Sequence, residues 1–197
     1  MMLRHACAAA VAALMVSPAY AAGLVKDPSF EKPVVPDGGD QEFTVGQTFN
    51  GWTVIGETNV AVVSGDQTSG GFTLPAKKGV QWLDLTGAFG NSATGVQQKI
   101  STQPGATYTI TFYVGNTYDP NGELGIDSTV HLFVDGADAG TFVNSSKKGA
   151  NTMVWQKFST DFVAQNTKTT IAFVNGDPSS DNCNGLDGIS VALAAAP

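Results

Sequence analysis

Between Ala106 and Val114 the chain reads A-T-Y-T-I-T-F-Y-V, with Tyr108, Ile110, Phe112 and Val114 on every second position. A period of two puts those four side chains on one face of a strand; a helix would scatter them around its surface. Thr129–Val134 repeats the pattern with Val130, Leu132 and Val134, and Asp135-Gly136 supplies the pair a tight hairpin turn needs. Further strands are expected at Leu24–Glu31, Gly51–Ile55, Asn59–Val63, Val80–Leu85, Val96–Ile100, Thr141–Val143, Val154–Val163, Thr169–Val174 and Leu186–Leu193. Gly, Pro, Asn and Asp separate them, and no convincing amphipathic helix interrupts them. Many short strands without an internal repeat or a domain-sized linker predict an all-β fold, a two-sheet antiparallel β-sandwich. Alternation assigns Phe30, Trp52, Leu83, Leu85, Tyr108, Ile110, Phe112, Leu132, Trp155, Ile171, Phe173 and Ile189 to the core. Pro33–Asp40 reads as a surface loop.

The N-terminus has a different character. Arg4 precedes an apolar run from Ala6 to Val16, and Ala19 and Ala21 then fit the A-x-A rule for signal-peptide cleavage. Residues 1–21 are expected to be a signal peptide cut after Ala21 or Ala22, leaving one domain over 22–197 that is secreted, either extracellular or periplasmic. Export leaves Cys183 as the only cysteine, so no internal disulfide is expected. Its neighbours offer no positive charge to make a reactive thiolate. Arg4 is the only arginine, and the whole chain carries a formal charge of −7. A mature protein without the guanidinium fork and with an acidic surface is a poor partner for phosphate backbones, so nucleic acid is excluded. No apolar span follows the last strand; a released protein without a membrane anchor, monomeric, is expected.

Several segments together resemble a known family. Val25-Lys26-Asp27-Pro28-Ser29-Phe30-Glu31 is similar to an "N-G-S-F-E" opening, Phe49-Asn50-Gly51-Trp52-Thr53-Val54 to "I-x-G-W-T-V", and Gly79–Leu85 to "G-x-x-x-L-D-L". Val96-Gln97-Gln98 and Pro104–Phe112 come next in order, and Gly185–Val191 resembles a closing "L-D-N-V-S-V". The ordered set resembles the choice-of-anchor C and domain-of-unknown-function 642 group. That resemblance implies a galactose-binding-domain-like jelly roll, similar to carbohydrate-binding modules. Gly188 stands where the closing motif has Asn.

In related jelly rolls the opening "F-E" and the closing "L-D" meet beside a structural calcium ion, so the resemblance points to Glu31 and Asp187 as metal ligands. The competing reading is a solvated polar loop, with both residues capping strand ends. Calcium takes about six to eight hard oxygen ligands, so backbone carbonyls would have to complete the shell. Asp181 and the Asp119–Glu123 stretch are oxygen-rich but read better as loop and turn.

For a glycan, alternation selects the outward side chains. If Leu83 and Leu85 face the core, Trp82 and Asp84 face away from it; the same logic turns Tyr113 and His131 outward. An exposed Trp82–Tyr113 face with Asp84 and His131 nearby would stack and hydrogen-bond a sugar. The competing reading is that loops cover the face. No hydrolase motif is present, His131 lies mid-strand without diagnostic context, and nothing marks a carboxylate pair among 17 acidic residues. The expected function is therefore non-catalytic binding of an extracellular polysaccharide or glycan. The alternative is a structural or protein-interaction domain without a sugar site.

Overall fold

A computed structural model describes residues 23–87, 93–120, 122–147 and 151–195; the expected signal peptide lies outside them. Among the described residues fourteen strands run in chain order. They are β1 Asp40–Thr44, β2 Thr48–Phe49, β3 Trp52–Ile55, β4 Asn59–Ser64, β5 Thr68–Ser69, β6 Phe72–Thr73, β7 Gln81–Asp84, β8 Gly95–Ser101, β9 Thr107–Asn116, β10 Ser128–Val134, β11 Ala137–Asn144, β12 Val154–Val163, β13 Lys168–Asn175 and β14 Gly185–Leu193. One sheet has the order β1-β4-β7-β14-β9-β12 and the other β11-β10-β13-β8-β3-β2, while β5 and β6 form a separate hairpin. Apart from the β2–β3 and β10–β11 hairpins, the strands that lie side by side in the two large sheets are not consecutive in the chain, as in a jelly roll. Among the described residues no helix is long and apolar enough to cross a membrane.

The core lies where the sequence period puts it. Val60, Val62, Leu83, Ile110, Phe112 and Val114 project from the first sheet, and Trp52, Val96, Val130, Leu132, Ile171 and Phe173 from the second. Phe112 and Phe173 meet edge to face across the layers, with centroids 5.1 Å apart. Every residue expected in the core is buried except Trp155, which is half-buried and belongs to a second cluster on the outer face of the first sheet. The Asp135-Gly136 turn has positive φ at both residues, 49° and 81°, which a two-residue type I′ hairpin requires.

The expected strand Leu24–Glu31 is not a strand. Asp27 and Phe30 take φ of 46° and 55°, and the Asp27 carboxylate accepts from the Glu31 and Lys32 amides at 2.8 and 3.1 Å. A short aspartate side chain offers the backbone a local partner that competes with a sheet ladder. The segment still fills the core: Phe30 is fully buried against Trp52, whose indole donates to the Asp27 carbonyl at 3.1 Å. Gln81 fastens the stretch from Phe30 to Val35. Its amide nitrogen donates to the Phe30 and Pro33 carbonyls, and its oxygen accepts from Val35 N–H.

Candidate functional site

On the outer face of the first sheet, Ala61 and Val63 of β4 stand opposite Asp84 and Trp82 of β7. The orientation expected for Trp82 holds: it points away from the Leu83–Leu85 core. Its exposure does not. Trp82 is only 1% exposed, so it offers no face to a sugar. The excursion joining β4 to β7 folds back over the sheet, and Leu74, Leu124, Met153 and Cys183 close around the ring. Trp82 donates its indole N–H to the Leu74 carbonyl at 3.0 Å, so its polar edge is satisfied within the roof.

Beside that roof a cleft of about 280 Å³ opens. Ala61, Val63, Leu74 and Leu124 give it apolar walls, and Asp40, Gln67, Asp84, Glu123 and Asn182 give it polar ones. Asp84 is the most constrained of these groups. The residue is 8% exposed, and its Oδ1 accepts three hydrogen bonds: from Thr86 N–H at 2.9 Å, the Thr86 hydroxyl at 2.7 Å and Asn184 N–H at 3.2 Å. No described group donates to its Oδ2. Burial pushes the Asp84 carboxyl up to about 6, the three hydrogen bonds pull against that rise, and the charge of Asp40 adds to it. Asp40 itself accepts from the Gln67 amide at 3.2 Å. Gln67 and Asn182 present groups that both donate and accept, the chemistry that hydroxyls match.

Of the residues selected from sequence for ligand binding, only Asp84 reaches this cleft. Tyr113, on β9, is half-buried in the same sheet as Trp82, with β14 between them. The Lys77 ammonium sits 5.1 Å from its ring centroid. At Gly188, whose φ is 59°, a Cβ would come within 2.9 Å of the Tyr113 ring, so the glycine lets this packing form. His131 belongs to the opposite sheet, where its Nδ1 lies 2.9 Å from the Thr141 hydroxyl. The four therefore do not share one face. Alternation fixes which way a side chain points from its strand but not which sheet the strand joins.

Glu31 and Asp187 do come together, around the turn that leads into β7. Asp187 Oδ2 accepts from Lys77 and Lys78 N–H, both at 2.8 Å, and its Oδ1 accepts from Gly188 N–H. Glu31 Oε1 accepts from Val80 and Gln81 N–H at 2.9 and 3.0 Å. Burial lifts Asp187 to about 7 against the pull of those amides, with Glu31 adding to the rise. The groups converging here are N–H donors, whereas calcium needs a shell of oxygens; the residues as arranged do not fit the ion. Among the described residues no group of three or more His, Cys, Asp or Glu side chains is placed to hold a metal.

Asp40, Gln67 and Asn182 carried no ligand-binding signal in the sequence, and Glu123 stood out only within an oxygen-rich stretch that reads as a turn. They lie at a strand start or in loops, where no periodicity marks position. Cys183 is 1% exposed beneath the cleft, and burial, with Asp84 close by, holds its thiol well above the usual value.

No curated protein matches the sequence. Among solved structures, the fold is similar to that of a cyclase from Fischerella sp. TAU in complex with 4-(1H-indol-3-yl)butan-2-one, at 16% identity and a TM-score of 0.58, over 88% of this chain and 97% of that one. An apo-form cyclase from Fischerella sp. is similar at 16% identity and 0.55, over 85% and 93%. A family 35 carbohydrate-binding module from Clostridium thermocellum is more loosely similar, at 12% and 0.46, over 79% and 99%. At such identities the likeness is one of fold. The sequence model described as "Protein of unknown function (DUF642)" matches residues 23–190, and the chain belongs to that family.

Proposed function

We propose that this protein is an exported, non-catalytic module that binds extracellular glycan in the cleft between β4, β7 and the Leu124–Cys183 side. The observation that carries this reading is Asp84. It is a nearly buried carboxyl, one oxygen of which takes three donors, on the lining of a cleft with apolar walls and amide-bearing edges. Such a cleft gives the C–H face of a pyranose an apolar contact and its hydroxyls both donors and acceptors. Trp82 supports the cleft from beneath the roof instead of stacking on the sugar.

A second reading has its own observation. Asp40, Asp84 and Glu123 line one cleft, and a glycan-active enzyme needs two carboxyl groups in such a setting. The two readings part on turnover. A glycan array of the purified protein, repeated with Asp84→Asn and Gln67→Ala, tests binding: the proposal expects a defined set of glycans retained by the wild type and lost by the variants. Incubating a bound glycan and assaying for new reducing ends tests catalysis: the proposal expects none. An array without any bound glycan would overturn the binding reading.

A further inference from the structure

The walls of the cleft carry Asp40, Asp84 and Glu123, and no lysine, arginine or histidine among the described residues. Two further carboxyls, Asp177 and Asp181, lie behind it close enough to Asp84 for a charge there to raise their affinity for the proton, on top of the larger effect of burial. A carboxylate in such a place is costly to ionise without a cation to face it.

The hydrogen bonding is equally one-sided. Asp84 is over nine-tenths buried and lines the cleft, and its Oδ1 already takes three donors, while Oδ2 takes none from the described residues. A sugar hydroxyl brings one proton to that oxygen and no charge. An ammonium brings three donors and a full positive charge. Anionic sugars, such as uronic acids or sulfated glycans, would meet like charge from three sides.

We infer that the cleft selects glycans bearing protonated amino groups, such as a de-N-acetylated hexosamine polymer, with an ammonium at Asp84 Oδ2 and the pyranose ring against Ala61, Val63 and Leu124. This rests on the reading that the cleft binds glycan, and names the class of glycan it takes. Glu123, on the exposed rim, adds a second carboxylate for the next amine along the chain. An ammonium at Oδ2 favours the ionised carboxylate and so draws the proton from Asp84.

Isothermal titration of the purified protein with two hexasaccharides of the same β-1,4 backbone tests this, one of glucosamine and one of N-acetylglucosamine, in mildly acidic buffer where the amines are protonated. The amino form should bind about tenfold or more tightly, the increment of a charge-assisted hydrogen bond. Added salt should shrink the preference. Asp84→Asn keeps an oxygen for the Thr86 and Asn184 donors and should abolish the preference. Glu123→Gln, on the exposed rim, should reduce it and carries the test if Asp84→Asn does not fold. Equal affinity for both hexasaccharides, or a preference untouched by Glu123→Gln and by salt, would overturn the inference. If only neutral glycans bind, the selectivity falls and the glycan reading stands; if no glycan binds, both fall.

Discussion

Trp82 and Trp155 meet edge to face, with centroids 6.1 Å apart and planes at 77°, and their indole N–H groups donate to adjacent carbonyls, Leu74 and Pro75, at 3.0 and 2.8 Å. Two strands of one sheet thus hold the same short length of roof. The glycines beneath make this possible: a Cβ on Gly185 would come within 2.8 Å of the Trp155 ring, and one on Gly115 within 2.9 Å. The second hydrophobic cluster is therefore a built layer that fixes one wall of the cleft.

Trp82→Ala should consequently destabilise the fold by about 3–5 kcal/mol, the usual cost of emptying a large aromatic site. Trp82→Phe should cost less, losing the bond to Leu74 and part of the packing. Urea denaturation of the two variants checks this. A Trp82→Ala protein of wild-type stability would mean that the roof does not close over the ring.

Burial raises four aspartates from an ordinary value of 3.8: Asp84 to about 6, Asp181 and Asp187 to about 7, and Asp177 to about 8, the last also through the charge of Asp181. Each binds its proton more tightly folded than unfolded. Stability from these groups is therefore full below the unfolded value and is lost as pH rises through the folded ones. The melting temperature should fall between about pH 4 and pH 8, and Asp187→Asn should flatten part of that slope. A melting temperature that rises steadily over the same range would contradict the burial of these carboxyls.

Cys183 should be inert in the native protein. It is buried, its Sγ lies 3.4 Å from the Thr117 hydroxyl, and its thiol is held well above the usual value. Thiolate is the reactive form. A thiol reagent at neutral pH should label it only after denaturant is added; rapid native labelling would show the cluster to be open.

The amides gathered by Glu31 and Asp187 lead to an expectation for metal. Adding a chelator should leave the melting temperature unchanged. Asp187→Ala should lower stability by about 1–3 kcal/mol, because it leaves the Lys77 and Lys78 N–H groups without their acceptor. A melting temperature that falls with chelator and recovers with calcium would show that the turn rearranges around an ion.

Features that depend on neighbours along the chain are legible in the sequence. The alternation in β9 and β10 locates the core side chains, and Asp135-Gly136 marks its hairpin. Leu83 correctly turns Trp82 away from the core. The roof over Trp82 cannot be read, because it comes from Leu74, Leu124, Met153 and Cys183, which no spacing connects. Tyr113 and His131 look equivalent as outward residues, yet strand order puts them in different sheets. The Asp27 turn replaces a strand because local carboxylate bonds compete with the ladder. The cleft inherits all these non-local choices, so of its polar residues only Asp84 is selected for ligand binding from the sequence.

A glycan held in the cleft on the outer face of the first sheet would perturb the amides that line it. Amide chemical-shift mapping reads this out, by titrating the labelled protein with a glycan retained on the array. The largest shifts should fall on Gln67, Ser69, Glu123 and Asn182, which line the cleft, with little change around His131 on the opposite sheet. Shifts centred on the second sheet, or no shifts at saturating glycan, would contradict that placement.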